Sequence, residues 1–456
     1  MRPGFVTPDN MAMLTDLYEL TMAASYREHL PRERATFDLF VRKVPPGRSY
    51  MVFAGLEQAI LNLRRFSFGP DAIRYLRSTR LFPSSFLRFL ETLRFRGDVD
   101  AMLEGTVFFP HEPVMRVTAN IIEAQLVETT LLNTINLQSL IATKASRVVE
   151  AAQGRPVVEF GLRRAHGTDA GLHGARAAYL AGCAGTSNVL AGQHYGLPIF
   201  GTMAHAFVQA FPSEKDAFRA FVHTFPKGTT LLLDTYETMQ GARHAVEIAS
   251  ELARRGYHLG GVRLDSGDLV TLSRQVRQIL DAKKLHTVKI FASGNLNEDR
   301  IAELLRLEAP IDAFGVGTEL SVSSDAPSLD VVYKMSEVTR HGRRFPTQKL
   351  STKKQTFPGR KQVSRLSRHG RYVGDILALE GEAVPGRPLL VQVMRRGQLV
   401  RPLPSLASIR QHMERERARL PSRLRRLGDV RPYPVHVSAG LRKAVQELQR
   451  KLKEKG

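Results

Sequence analysis

Gly261-Val262-Arg263-Leu264-Asp265-Ser266-Gly267-Asp268-Leu269 joins the three features that decide how this chain folds. A short apolar run leads into a polar turn built around a glycine, and the turn opens a stretch with helical spacing. The same pattern recurs on both sides. Upstream lie Val157-Val158-Glu159-Phe160, Pro198-Ile199-Phe200-Gly201 and Thr230-Leu231-Leu232-Leu233-Asp234. Downstream lie Val288-Lys289-Ile290-Phe291-Ala292 and Ala313-Phe314-Gly315-Val316. Each run has the length and composition of a buried parallel strand. The stretches 241–255, 269–283 and 297–307 between them carry apolar residues at helical spacing, several behind an acidic or Asn cap. Strands that alternate with helices for so long predict an α/β fold with a parallel sheet, open or closed. In each repeat the polar residues gather at the C-terminal end of the strand, the face on which such sheets place active sites.

The chain has 456 residues, more than one ordinary core needs, and suits two domains if one is a large α/β barrel. Residues 1–120 mix helical and strand patterns. Residues 121–338 hold the repeats, preceded by a long amphipathic helical connection over 123–153. In 339–456, Gly342, Pro346, Pro358, Gly359 and Gly370 punctuate short strand-like pieces, whereas 406–419 and 441–453 read as charged surface helices. The two end pieces are expected to fold together as a mixed α/β domain.

Hydrophobic residues at 43% and charged residues at 24% give the balance of a globular protein and exclude a disordered or fibrous one. The apolar runs are strand-sized, too short for a bilayer span. Pro3, Gly4, Pro8 and Asp9 interrupt the place where a secretory signal would need a continuous apolar segment, so a cytoplasmic location is expected. The one cysteine, Cys183, excludes an internal disulfide and a multi-cysteine zinc site, and its small-residue surroundings suit a packed thiol. A net charge of +22 favours anionic partners. Nucleic acid is the first suspect, but the basic residues concentrate from Arg340 to Lys455 without the aromatic interleaving of a single-strand stacking platform, and an anion field around a phosphate-rich substrate with a solvated basic tail accounts for the charge equally well.

Several strand ends carry side chains suited to chemistry. In Gly201-Thr202-Met203-Ala204-His205 the imidazole can serve as acid, base or phosphate acceptor, or simply as a hydrogen-bonded structural group. Asp234 ends the next strand and could hold one imidazole nitrogen, fixing the tautomer. Arg263, with Ser266 and Gly267 at a helix start, makes an anion site, and Asp265 with Asp268 suits a hydrated magnesium ion. The blander reading of the same segment is an Asp N-cap beside a surface Arg. Ser293-Gly294-Asn295 and Gly315-Val316-Gly317-Thr318 are glycine turns through which backbone amides can approach a phosphate.

These segments, in this order, resemble the nicotinate phosphoribosyltransferase family over nearly the whole chain. The resemblance extends to Leu14-Thr15-Asp16-Leu17-Tyr18-Glu19-Leu20-Thr21-Met22, Phe37-Asp38-Leu39-Phe40-Val41-Arg42-Lys43, Glu159-Phe160-Gly161-Leu162-Arg163-Arg164, Gly185-Thr186-Ser187-Asn188-Val189, Pro358-Gly359-Arg360-Lys361-Gln362-Val363 and Pro432-Tyr433-Pro434-Val435. It implies a type II phosphoribosyltransferase: an irregular α/β barrel beside a mixed α/β domain built from both chain ends, paired as a homodimer with shared active sites. The implied reaction joins nicotinate to phosphoribosyl pyrophosphate on the route to NAD. It is coupled to ATP hydrolysis through a phosphohistidine and assisted by Mg²⁺, a ligase or glycosyltransferase activity. His205 stands at the phosphorylated position, Asp234 at the carboxylate that orients it, and Phe160 and Tyr18 at the aromatic pair around the pyridine ring, with Tyr18 from the partner subunit. Arg163, Arg263, Thr202 and Ser187 match the polar surround. Arg163, Asp265, Ser266, Gly267, Ser293, Gly294, Gly315, Gly317 and Thr318 are the expected phosphoribosyl and pyrophosphate contacts. Ser187 can donate to a carboxylate where related nicotinamide enzymes carry an Asp, which favours the acid over the amide or quinolinate. The resemblance does not account for the strong basic charge, which leaves a nucleic-acid binder as the contrasting reading.

Overall fold

A computed structural model describes residues 6, 7, 9–349, 356–428 and 430–454. Pro3, Gly4 and Pro8 of the N-terminal reading, and Lys455 at the end of the basic stretch, lie outside the described residues. Contacts divide the chain into two units, 1–140 with 328–456, and 141–327. The sequence reading puts these divisions at 120/121 and 338/339; they fall instead inside the helix Glu128–Ala151 and just before the strand Val331–Arg340.

The first unit carries an antiparallel seven-stranded sheet to which both chain ends contribute. Arg34–Val41 lies between Val331–Arg340 and Pro113–Asn120, with Leu39 opposite Tyr333 and Phe37 opposite Val117. Phe37 stacks on Tyr333 at 4.6 Å, and the Tyr333 hydroxyl donates to the Ala124 carbonyl at 2.8 Å, so a large aromatic is buried with its polar tip satisfied. A second sheet of four strands contains Lys361–Arg368 and Arg371–Leu379. The long helix expected over 123–153 is two helices, Ile121–Leu126 and Glu128–Ala151. Asn120 caps the first by accepting from the Ile122 amide at 3.0 Å, and Val127 closes it.

The second unit is the α/β body that the repeats predict. Its parallel six-stranded sheet runs, in spatial order, Gly185–Thr186, Val157–Glu159, Ala313–Val316, Lys289–Ala292, Gly261–Leu264 and Thr230–Leu232. Pro198-Ile199-Phe200-Gly201, expected as a full strand, contributes only a bridge from Ile199 to Thr186. Pro198 has no amide hydrogen to donate, and pairing stops after one bridge. Among the described residues no ladder joins this segment to Thr230–Leu232, so the barrel is irregular and not closed. The helices Thr238–Arg254, Leu269–Ala282 and Glu298–Arg306 follow successive strands, within a few residues of the expected bounds. Their buried residues recur three and four apart, as on Leu269, Ser273, Val276 and Leu280. Among the described residues, no helix is long and apolar enough to cross a membrane.

Candidate active site

All the strands of the second unit's sheet run parallel, so their C-terminal ends share one face, and residues at and just beyond those ends line a cavity of about 260 Å³. Nine of the residues expected to bind substrate border it: Phe160, Arg163, Arg263, Asp265, Ser293, Gly294, Gly315, Gly317 and Thr318.

Arg263 organises the floor. It sits on the strand Gly261–Leu264 and is 17% exposed on its side chain, not the surface Arg of the blander reading. Its Nε donates to Ser293 Oγ at 2.7 Å, Nη1 to Thr202 Oγ1 at 3.1 Å and Nη2 to Asp265 Oδ1 at 2.6 Å. The guanidinium carbon is 5.5 Å from the Phe160 ring centroid, within cation–π range. One flat cation is thus pinned against the aromatic face where the planar ring is expected. Asp265 also accepts from Ser293 Oγ at 2.5 Å. Burial pushes the Asp265 carboxyl up, but the Ser293 hydrogen bond and the Arg263 charge outweigh it and hold it below the usual carboxylate range.

Two glycines are required by space. A Cβ at Gly315 would lie 2.7 Å from the Phe160 ring, so only glycine admits the ring over this strand. Gly294 has φ +88°, and a Cβ there would meet the Asp265 carbonyl oxygen at 1.8 Å. Asn295 beside it is left-handed at φ +47° and also lines the cavity.

His205 opens the short helix His205–Gln209 and is partly exposed. The sequence reading pairs it with Asp234; the structure does not. Its Nδ1 lies 3.2 Å from Thr235 Oγ1, and its Nε2 lies 3.9 Å from Asp265 Oδ2. Asp234 Oδ2 instead accepts from the Asp265 amide at 2.9 Å and from Ser266 Oγ at 2.6 Å, which holds the Asp265-Ser266 turn. Its Oδ1 is buried without a hydrogen-bond partner. Strand position brings Asp234 to the correct rim, but the carboxylate turns toward the neighbouring loop, where two donors satisfy one oxygen.

Asp268 is the N-cap of Leu269–Ala282, its oxygens accepting from the Val270 amide at 3.1 Å and Thr271 Oγ1 at 2.5 Å. These hydrogen bonds, led by that of Thr271, hold its carboxyl below the usual range. This half of the blander reading fits. Gly267 adopts φ +79° in the same turn. Ser187 is half-buried, its amide donating to the Glu159 carbonyl at 2.9 Å. Tyr18 belongs to the first unit, near the start of the helix Leu17–His29, and is 47% exposed.

Gly161, Arg164, Leu296 and Glu319 also line the cavity and carried no separate signal. Arg164 Nη1 reaches Thr318 Oγ1 at 3.2 Å. The adjoining Arg163-Arg164 pair was the available hint, since two guanidiniums beside a glycine turn suit an anion.

Comparison with known proteins identifies the family. Models of the N-terminal domain, the main family region and the C-terminal domain of nicotinate phosphoribosyltransferase match residues 13–136, 156–367 and 384–445. A nicotinate phosphoribosyltransferase of Mycobacterium tuberculosis is 52% identical over 429 residues, covering 94% of this chain and 91% of the relative. The Bacillus subtilis enzyme is 36% identical over 459 residues, covering 94% and 93%. The crystal structure of human nicotinic acid phosphoribosyltransferase superposes with a TM-score of 0.86 at 31% identity, covering 95% of this chain and 99% of that one. By its sequence along almost its full length, and by its fold, this chain belongs to the nicotinate phosphoribosyltransferase family.

Proposed function

We propose that the chain joins nicotinate to phosphoribosyl pyrophosphate, releasing nicotinate mononucleotide and pyrophosphate, as a step of NAD biosynthesis in the cytoplasm. The observation that carries this reading is the Arg263 guanidinium, fixed by Thr202, Ser293 and Asp265 against the Phe160 face in one cavity. The ring nitrogen forms its bond to ribose C1 as the C1–O bond to pyrophosphate breaks, and the departing pyrophosphate keeps the electron pair. Charge therefore grows on the leaving group and on an oxocarbenium-like sugar. Arg163 and Arg263 stabilise the anion, and the backbone amides of the Gly294 and Gly315–Thr318 turns can approach its oxygens. Phe160 holds the ring in line, with Tyr18 as the second aromatic wall supplied by the partner in a homodimer.

The donor set fits a magnesium ion held with substrate phosphates. Asp265 keeps Oδ2 outside its pairing with Arg263 and Ser293, and the buried Asp234 Oδ1 lacks a partner, whereas both Asp268 oxygens are taken by the helix cap. Among the described residues no three His, Cys, Asp or Glu side chains converge as a metal cluster, so Asp265, with Asp234 or Asp268 beside it, would hold the ion chiefly together with substrate phosphates and water, and a bound ion would add Lewis-acid neutralisation of the pyrophosphate.

ATP coupling is assigned to transient phosphorylation of His205, whose Nδ1 lies 3.2 Å from Thr235 Oγ1 and whose Nε2 faces Asp265 Oδ2 at 3.9 Å. The test measures nicotinate mononucleotide with and without ATP, together with acid-labile phosphate on the protein. His205→Ala is expected to lose ATP stimulation and labile phosphate while retaining slow ATP-independent transfer; full coupling in that variant overturns the phosphohistidine. Ser187→Asp is expected to weaken nicotinate use through like-charge repulsion, and unchanged kinetics would remove Ser187 from the ring pocket. Conversion of nicotinamide or quinolinate in preference to nicotinate would reassign the substrate.

A further inference from the structure

We infer that Glu159 is a positioning residue whose buried carboxylate ties the turn bearing Phe160 to the turn bearing Ser187, and so sets the preference for a pyridine carboxylic acid over its amide. The inference rests on the proposed roles of Phe160 and Ser187.

Glu159 is the last residue of the strand Val157–Glu159 and pairs in register with Thr186, the last of the strand Gly185–Thr186. Phe160 and Ser187 each lie one residue beyond their strand, held there by a single amide that donates to the Val316 carbonyl at 2.8 Å and the Glu159 carbonyl at 2.9 Å respectively. At that point Glu159 is 3% exposed, and its two oxygens take donors from the two turns. Oε1 accepts from the Gly161 amide, just after Phe160, and Oε2 accepts from Thr186 Oγ1 at 2.6 Å, just before Ser187. Thr186 Oγ1 in turn accepts from the Asn188 amide at 3.0 Å. The Ser187 amide donates to the Glu159 main-chain oxygen at 2.9 Å. Ser187 is therefore flanked by ties to Glu159 and Thr186, while Asn188 beyond it is also anchored by its side-chain amide to the Gly171 carbonyl at 3.2 Å.

A buried carboxylate is an expensive way to fill space, because an apolar side chain of similar volume avoids its desolvation. Burial raises the Glu159 carboxyl, and the Thr186 and Gly161 hydrogen bonds only partly offset that. What the carboxylate offers is two acceptors at a fixed spacing. The Gly161 amide can only donate, so Glu159→Gln must turn its one oxygen toward Gly161 and its NH₂ toward Thr186, which leaves the Thr186 O–H without its acceptor. The side-chain tie on the Ser187 side then loses its charged acceptor and is left as a reversed, weaker contact from the amide NH₂ to Thr186 Oγ1, while that on the Phe160 side survives. A ring gripped on its face by Phe160 and on its carboxylate by Ser187 is sensitive to that spacing, since displacements of about 1 Å can cost two orders of magnitude.

The experiment determines KM for nicotinate and for phosphoribosyl pyrophosphate, the ratio of nicotinate to nicotinamide use, and the melting temperature. The proteins are wild type, Glu159→Gln, Thr186→Val and Thr186→Ser. In Glu159→Gln and Thr186→Val we expect nicotinate KM to rise about tenfold, as for loss of a hydrogen bond to a charged acceptor. The acid-to-amide ratio narrows, and KM for phosphoribosyl pyrophosphate moves little. Thr186→Ser keeps the hydroxyl and restores both values. Equal movement of both KM values, or a loss confined to kcat and melting temperature, overturns the inference and leaves Glu159 a structural residue. If Glu159→Gln fails to fold, the Thr186 pair decides by the same criteria. A wild-type protein that makes no nicotinate mononucleotide overturns the functional reading and this inference together, whereas an active wild type with unchanged variants overturns the inference alone.

Discussion

Two arginines, one in each unit, are built from the same parts and end in opposite roles. Arg365, on the strand Lys361–Arg368, has its side chain fully enclosed. Its Nε and Nη2 grip Asp375 at 3.0 and 2.7 Å, and Nη1 reaches Glu416 at 2.9 Å. It lies over Phe109 and Tyr372 at 5.6 and 4.9 Å. Hydroxyls of Tyr433 and Tyr372 donate to the same carboxylates. Arg263 likewise stands on a strand, beside an Asp and over a Phe, but two of its three partners are neutral hydroxyls and its plane borders a cavity. The first cluster compensates its cation with carboxylates on every side and has nothing left for a ligand. The second holds its cation with a single carboxylate and two neutral hydroxyls at the edge of a cavity, so it is fixed in place and still open to an anionic leaving group.

The sharpest way to break this contrast is to delete each guanidinium. Arg365→Ala leaves carboxylates buried without their cation and is expected to destabilise the protein by about 3–5 kcal/mol in urea unfolding. Arg263→Ala should lower kcat/KM by a factor of about 10² to 10³ while unfolding changes far less. If the two variants lost similar stability, the distinction between a closed and an open cluster would fail. The smallest effect concerns protons. Glu112, fully buried near Arg365, is pushed well up by burial first and then by Asp375 beside it, and its Oε1 lacks a partner unless a proton sits between the two carboxyls. A carboxyl raised in the folded state binds its proton more tightly there. Its stabilisation is complete below the unfolded value of about 4.3 and fades as pH rises through the folded one. Glu112→Gln should therefore be tolerated at neutral pH and flatten that decline in melting temperature toward alkaline pH. Asp265 runs the other way: depressed in the folded state, it stabilises above the unfolded value and loses that contribution only as pH falls through its lowered one. An alkaline decline as steep in Glu112→Gln as in wild type would place the proton elsewhere.

The alternation of strand and helix from Val157 to Val316 was legible because buried parallel strands read as apolar runs and their polar residues collect at one end. Gly185–Thr186 was not, since two residues with a glycine make no run. Nor was the interruption at Val127 within an otherwise continuous helical pattern. In the site, Phe160, Arg263, Asp265 and the glycine turns come together as the strand-end rule requires. Glu159 carries no functional signal of its own in the sequence, because it lies inside an apolar run where period alone marks it only as a buried position.

The sequence by itself determined the order of strands and helices, the face on which the polar residues emerge, and, through glycines such as Gly315, where a phosphate can come close. Only the tertiary structure decided that Thr235 rather than Asp234 meets the His205 ring, that Asp234 braces the Asp265-Ser266 turn, and that Glu159 joins two turns. The reason is geometric. Along a strand the pleat fixes where each side chain points, but past the last ladder bond direction is set by whichever donor or acceptor a neighbouring loop presents.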